Sequence, residues 1–263
     1  MLKNFFGFAE GKYPYGGTAD GYLSWQHLTF VSTFVVAAIV LAIFLGLRNK
    51  NKTDKQKNTV LIWSAILIDG FEIAKIIIGL VQDPNFWKVS LPLFLCSIQL
   101  ITIPLAAFCK GRLKEAALDF VFMFGMLGGL LGTYGMALNY NTYPTVSWPN
   151  FVSAVTHCLS GFAALYIGVA GMASMKKKNI YLSFAILIFF AVAAYVANVL
   201  IGYNYMFLMS SDGTPYDIFY KLVNGNKVLY PLIVVSLFIL YIFVFYTVFL
   251  KLKEKKSKTS SSN

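Results

Sequence analysis

The sequence predicts an all-α polytopic membrane protein with seven transmembrane helices, the N-terminus outside and the C-terminus inside. The 263 residues are 58% hydrophobic and only 13% charged, whereas a soluble domain carries about 25% charged residues. The hydrophobic residues form seven long runs, and the basic residues gather in alternate connections between those runs. The runs are long and uniformly apolar, which favours helices over the alternating strands of a barrel.

The seven runs divide the chain into a leader, a membrane domain and a tail. Residues 1–26 are rich in aromatic residues and glycine, which predicts an extracytoplasmic leader, either resting at the lipid interface or unstructured. Residues 27–251 form the predicted seven-helix domain, and the Lys- and Ser-rich residues 252–263 are expected to be a disordered cytoplasmic tail. The predicted spans are, in order, His27–Leu47, Asn58–Val81, Ser90–Phe108, Glu115–Leu138, Asn150–Met172, Asn179–Ile201 and Tyr230–Leu250.

The distribution of basic residues sets the predicted orientation. Of the 22 Lys and Arg residues, 16 follow the first, third, fifth and seventh runs. An excess of Lys and Arg marks the cytoplasmic side of a membrane protein. The net charge of +11 is therefore a topology signal that also attracts anionic lipid, and it does not indicate nucleic-acid binding. We expect a multi-pass protein of the cell membrane whose partners are membrane lipids; the oligomeric state cannot be inferred from these patterns.

Few ionisable residues lie within the predicted spans. Such residues are costly in lipid and commonly functional. Glu72 and Lys75 can pair on one face of the second helix, so a structural ion pair is at least as good an explanation as a catalytic role. The roles of Asp69 and Asp119 stay open. The ionisable residues within spans are Asp69, Glu72, Lys75, Asp119 and His157.

Cys96 and His157 are the predicted catalytic pair. At 1.5 Å of rise per residue, they lie about 9 and about 10 Å below the outer ends of the third and fifth spans. A buried thiol is a poor nucleophile, and an imidazole at the same depth could take its proton and return it to a leaving group. Taken singly, however, the cysteine could be a small buried hydrophobe and the histidine an interhelical hydrogen-bond partner.

Other polar residues of the outer half are predicted to bind or orient a substrate around this pair. Glu72, Lys75, Gln99 and Asn198 fall in that half of their spans. The long loop Gly202–Leu229 is expected to be an ordered cover, and Asn204 and Tyr205 are expected to belong to it.

The sequence gives no sign of a cofactor or a metal site. Three cysteines, Cys96, Cys109 and Cys158, provide no disulfide framework. No HxxxH, CxxC, GxSxG or phosphate-loop motif occurs, so metal, redox, hydrolase-elbow and nucleotide chemistry lack support. The glycines of GMLGGLLGTYG in the fourth run predict close helix packing, or else room for a lipid chain.

Three short motifs carry a family resemblance. The run LPLFLCSIQ around Cys96, the histidine of VTHCLSG and the segment NYMFL at Asn204–Leu208 together resemble the YwaF-like bacterial integral membrane proteins. That family is similar to eukaryotic transmembrane acyltransferases that remodel phospholipids and plasmalogens. The resemblance covers most of Leu28–Leu250 and implies a cysteine nucleophile in the third span and a histidine in the fifth, here Cys96 and His157. Bacterial members often carry a polar residue where this chain has Phe94 or Ser97, so the resemblance supplies no further polar helper.

Three functions are compatible with these patterns. The first is a lipid acyltransferase or lipid hydrolase in which Cys96 is the nucleophile and His157 the acid and base. The second is a transporter of a small solute, which requires a polar path that continues into the inner half of the bilayer. The third is a non-catalytic membrane scaffold, for which the helix-packing glycines suffice.

Overall fold

The computed structural model describes residues 1–8, 17–135 and 137–261, with side chains as far as residue 255. The described chain is helical and contains no strand. Its α-helices are α1 (Leu2–Phe6), α2 (Trp25–Asn49), α3 (Asp54–Gln82), α4 (Gln99–Phe108), α5 (Gly111–Tyr134), α6 (Ala137–Thr142), α7 (Trp148–Val169), α8 (Ile180–Ile201), α9 (Asp217–Leu222) and α10 (Leu229–Ser261).

Five helical segments of the described chain are long and apolar enough to cross a membrane. These segments are Trp25–Asn49, Gly111–Thr142, Trp148–Val169, Lys177–Ile201 and Leu229–Lys255. Helix α3 has sufficient length at 29 residues, but its apolar stretch carries three charged residues, Asp69, Glu72 and Lys75, and it is not among these five segments. Helix α4 has only 10 residues and is too short to span lipid by itself. The all-helical membrane architecture is thus confirmed, with five candidate spans that have the length and the hydropathy of a transmembrane helix.

The third predicted span is the largest departure from expectation. Only its second half is helical, because α4 begins at Gln99 and not near Pro92. The backbone groups before it are engaged elsewhere: the Leu91 N–H donates to the Tyr205 hydroxyl at 3.1 Å, and the Leu93 N–H donates to the Leu91 carbonyl at 2.7 Å. The prediction of a continuous helix over Ser90–Phe108 was therefore wrong. Hydropathy reports where a segment lies and does not report how its backbone is satisfied.

Helices α5 and α7 form the centre of the bundle. They make the most extensive contact of any pair, and α2, α3 and α4 pack beside them, while α8 joins α5 and α10. Close approach depends on glycine. A methyl group on Gly129 would lie 2.7 Å from the Gly161 Cα, and one on Gly125 would lie 2.8 Å from the Ser160 carbonyl oxygen. The predicted packing role of the fourth-run glycines is what the structure displays.

The outer loop and the two termini complete the fold. The loop after α8 folds against the bundle and buries Tyr205 and Met206. At the N-terminus, the rings of Phe5 and Phe6 pack on Trp148 with centroids 6.0 and 5.1 Å away; Tyr13 and Tyr15 of the predicted leader lie outside the described residues. Helix α10 continues to Ser261, into the tail expected to be disordered, because strong helix formers such as Lys and Glu follow the last apolar turn.

Candidate functional site

Cys96 lies in an irregular turn three residues before α4. Its side chain is close enough to the His157 ring and to the Ser97 side chain for these groups to interact. The turn is closed by the Gln99 N–H, which donates to the Cys96 carbonyl at 3.2 Å.

His157 presents a single nitrogen to the cysteine. It lies on α7 with 8% of its surface exposed, and its Nδ1 is 2.7 Å from the Ser153 carbonyl oxygen. A carbonyl oxygen only accepts, so in the neutral ring Nδ1 carries the proton and Nε2 carries the lone pair. Since Nδ1 is occupied, Nε2 is the nitrogen that can meet the Cys96 thiol. The pair thus has the tautomer that proton abstraction from sulfur needs.

Two glycines of α5 form the wall against which this pair rests. They are Gly128 and Gly132, one helical turn apart and therefore on the same face. The ideal position of a Gly128 Cβ is 3.7 Å from the Cys96 Cβ, and that of a Gly132 Cβ would overlap the Cδ2–Nε2 edge of the His157 ring. Helix α5 therefore places the thiol and the imidazole at neighbouring levels, and Gly132 leaves the space that the ring occupies.

An ion pair on α3 lies within electrostatic range of the histidine. Lys75 Nζ is 2.5 Å from a carboxylate oxygen of Glu72, and Lys75 is close enough to His157 for the two to interact electrostatically. Asp69 in turn interacts with Glu72. The predicted structural pairing of Glu72 with Lys75 is therefore found.

Gln99 is a fully buried polar residue one turn beyond Cys96. Its Oε1 accepts a hydrogen bond from the Thr102 hydroxyl at 3.1 Å, while its Nε2 has no hydrogen-bond partner among the described residues. Buried unpaired polar groups are rare and call for an explanation. Gln99 is the first residue of α4, three residues after Cys96.

Asn198, Asn204 and Tyr205 have their polar groups occupied within the protein. Asn198 bonds both backbone groups of Tyr205, at 2.6 and 3.0 Å. The Asn204 amide donates to Ser210 and Asp212 within its own loop. Burial raises the pKa of Tyr205 to about 12, so its hydroxyl keeps its proton at neutral pH. The roles predicted for these three residues in substrate binding stay predictions.

Asp119 lies at a separate polar centre. Its carboxylate accepts hydrogen bonds from the backbone N–H groups of Ser174 and Met175 at 2.9 Å, from Asn179 at 3.0 Å and from the Tyr246 hydroxyl at 3.2 Å. These bonds tie α5 to the α7–α8 connection and to α10. The geometry gives Asp119, whose role the sequence left open, a structural function.

The sequence interpretation missed Ser97, Ser153 and Gly132. The spacing of Ser153 and His157, four residues apart on one helix, could have indicated that the ring bonds back to the preceding turn. The i, i+4 spacing of Gly128 and Gly132 likewise lay within a motif that was interpreted as a helix-packing surface or as room for a lipid chain, and not as space for the His157 ring. No group of three or more His, Cys, Asp or Glu residues suited to a metal occurs in the part of the chain that the structure describes.

The fold and composition define a multi-pass helical membrane protein in which a cysteine and a histidine rest against two glycines on one face of α5. Residues 22–250 match the model of the TMEM164 family, a family of transmembrane proteins, and the chain belongs to that family. No curated protein matches the chain, and no solved structure does.

Proposed function

We propose that this protein is a membrane lipid acyltransferase or lipid hydrolase that uses Cys96 as nucleophile and His157 as acid and base. The observation that carries the proposal is that Cys96 and His157 rest against Gly128 and Gly132 on one face of α5, close enough to interact. The His157 Nδ1 is 2.7 Å from the Ser153 carbonyl oxygen, which leaves Nε2 as the nitrogen free to take a proton.

The reaction follows from the pair. His157 Nε2 takes the thiol proton, and the thiolate attacks the carbonyl carbon of a lipid ester to form a C–S bond. The ester C–O bond then breaks, and the imidazolium returns its proton to the leaving oxygen, which leaves a lysolipid and a thioester on Cys96. In the second half, a lysolipid hydroxyl or water attacks the thioester carbonyl while His157 takes its proton. The C–S bond breaks, and the proton passes to the released sulfur.

The surrounding polar groups would orient the lipid. Glu72 and Lys75 are charged groups within electrostatic range of the base, and Gln99 supplies an unpaired amide at the start of α4. Asn198, Asn204 and Tyr205 complete the predicted substrate region. Membrane lipids are the proposed partners, and the YwaF-like resemblance of the cysteine and histidine motifs points to the same chemistry.

A seven-span topology fits this site best. We infer that α3 crosses the membrane despite its charges, and that the irregular segment and α4 together make the third crossing. Non-helical backbone at membrane depth is tolerated where protein or a cavity covers it. With the basic loops inside and the N-terminus outside, Cys96 and His157 lie in the outer half of the bilayer. The cell membrane is the proposed location.

A transporter is supported less well, because the helix faces that carry the site are apolar about one or two helical turns closer to the inner side of the membrane. Residues next along α3, α4 and α7 are packed into one buried apolar cluster that includes Ile68, Ile103 and Ala163. Asp119 does not extend a polar path, since its carboxylate is engaged in the network described above. A non-catalytic scaffold would not account for the fixed tautomer of His157.

The test is acyl transfer by purified protein in lipid nanodiscs. A phospholipid with a labelled acyl chain and an unlabelled lysolipid would be supplied, and labelled diacyl lipid and free fatty acid would be measured. Cys96→Ala and His157→Ala should abolish both products. Cys158→Ala is the matched control, because Cys158 is the neighbour of His157 in sequence but contacts Thr133 instead, with 3.9 Å between Sγ and Oγ1. Undiminished product from both Cys96→Ala and His157→Ala would eliminate the assignment.

A further inference from the structure

The segment that carries Cys96 is fixed only in part by its own backbone hydrogen bonds. Between Ser90 and Ile98 the backbone forms turns and no regular helix, although it lies in an apolar run. A helix satisfies its own backbone groups, whereas an irregular segment at membrane depth relies on neighbouring parts of the protein to do so. Hydrogen bonds within the segment fix part of its shape, such as that from the Ile98 N–H to the Phe94 carbonyl at 3.0 Å. The position of the sulfur relative to His157 also depends on what fixes the segment from outside.

The hydroxyl of Tyr205 fixes it at two points. It donates a hydrogen bond to the Lys88 carbonyl at 2.7 Å and accepts one from the Leu91 N–H at 3.1 Å. A single side-chain atom thus joins the chain on both sides of Ser90. The Tyr205 ring also packs edge-on against Phe94, with centroids 5.1 Å apart, and Phe94 is two residues before Cys96.

Tyr205 is itself immobilised by α8. Asn198, in the last turn of that helix, accepts from the Tyr205 N–H at 2.6 Å and donates to the Tyr205 carbonyl at 3.0 Å. Tyr205 is completely buried and Asn198 is 2% exposed. Buried hydrogen bonds without competing water hold their geometry well. A continuous chain of contacts therefore runs from α8 through Asn198 and Tyr205 to the cysteine segment.

We propose that Tyr205 is a positioning residue that holds the Cys96 segment in the shape that brings the thiol to His157. Asn198 serves it as the anchor on α8. The part of the outer loop around Tyr205 is then fixed in place and is not a mobile cover, since a cover would have to move away from the site for a lipid to enter. This inference rests on the proposed nucleophilic role of Cys96, although the coupling itself can be measured without any lipid substrate.

The experiment measures iodoacetamide alkylation of Cys96 in protein carrying Cys109→Ser and Cys158→Ala. The informative quantity is the rate near neutral pH divided by the rate at high pH, where a thiolate forms without help from the imidazole. Tyr205→Phe removes the hydroxyl and keeps the ring. We expect this ratio to fall about tenfold, because the free energy of one typical hydrogen bond corresponds to a factor of up to about ten.

A second background separates alignment from simple loosening. If Tyr205 acts through the contact between Cys96 and His157, Tyr205→Phe should leave the ratio unchanged in protein that also carries His157→Ala. Tyr203→Phe is the matched control, because the Tyr203 ring is 4.7 Å from Tyr205 and its hydroxyl has no hydrogen-bond partner among the described residues. Asn198→Ala, which removes both hydrogen bonds to the Tyr205 backbone, should give a smaller fall with the same dependence on His157, and it serves where Tyr205→Phe does not fold.

Two results would overturn the inference: a ratio in Tyr205→Phe equal to that of the unsubstituted protein, or an equal fall with and without His157. Acyl transfer measured on the same samples keeps the two proposals apart. If no variant and no unsubstituted protein transfers an acyl chain, the proposed function fails, while the alkylation ratios still report whether Tyr205 aligns the pair.

Discussion

Substitution of Gly132 by alanine provides a sharp test of the site's geometry. The added methyl group would lie 2.9 Å from the His157 Cγ and nearer still to Cδ2 and Nε2, whereas ordinary contacts begin at 3.4 Å. The ring must retreat by more than 1 Å, and a misplacement of about 1 Å can already cost about 100-fold in rate. This movement also weakens the 2.7 Å hydrogen bond from Nδ1 to the Ser153 carbonyl, so moving the ring costs free energy.

Two neighbouring glycines make the experiment internally controlled. A methyl group on Gly128 would meet Cys96 atoms at 3.7 and 3.8 Å, which is ordinary contact. Both substitutions improve helix propensity by about 1 kcal/mol, so a difference between them reports the site. Gly129→Ala differs again, because its methyl would lie 2.7 Å from the Gly161 Cα and should lower the melting temperature by disturbing α5–α7 packing.

The assay compares acyl transfer and Cys96 alkylation in the three variants. We expect a loss of about 100-fold in transfer for Gly132→Ala, little change for Gly128→Ala, and a lower melting temperature for Gly129→Ala. Equal activity in Gly132→Ala and Gly128→Ala would refute the reasoning, because the imidazole would then not need the space that Gly132 leaves.

Three further predictions concern stability, pH and topology. Asp119→Asn should lower the free energy of unfolding by about 2–4 kcal/mol, because an amide cannot accept all the bonds that the carboxylate accepts; an unchanged melting temperature in detergent would contradict this. The pKa of Tyr205 is raised to about 12, so the stabilisation that its neutral hydroxyl provides is complete below about pH 10 and is lost as the pH rises through 12. The difference in melting temperature between the unsubstituted protein and Tyr205→Phe should therefore be constant from about pH 6 to 9. A cysteine introduced by Lys177→Cys should react with an impermeant reagent only from inside and one introduced by Val146→Cys only from outside; labelling of both from one side would contradict the proposed topology.

The helices were predictable because lipid imposes one backbone solution. Apolar runs such as Asn179–Ile201 lie within a residue of the helix Ile180–Ile201, since a segment in hydrocarbon must bond within itself. The same rule misled at Ser90–Phe108, where the Tyr205 hydroxyl and local turns satisfy part of the backbone. Hydropathy cannot reveal a bond to a residue more than a hundred positions away.

The sequence could place His157 along its helix but could not place Cys96 or the neighbours of either residue. His157 lies on the regular helix α7, to which the rise per residue applies, whereas Cys96 lies in an irregular turn, where the helical rise used to place it does not hold. The side chains that surround Cys96 and His157 depend on the rotation of each helix and on the irregular turn. The spacing of residues in the sequence determines neither of these. For that reason Ser97 and Gly132 were missed, and Tyr205 was assigned to a cover when its hydroxyl is bonded to Lys88 and Leu91.

The most direct measurement is mass spectrometry of the protein after brief incubation with a phospholipid of defined acyl chain. The account predicts that one acyl group is attached to Cys96, that neutral hydroxylamine removes it, and that addition of lysolipid discharges it into diacyl product. Acyl transfer that proceeds with no thioester at Cys96, or an acyl group carried by a different residue in protein that lacks Cys96, would contradict the account.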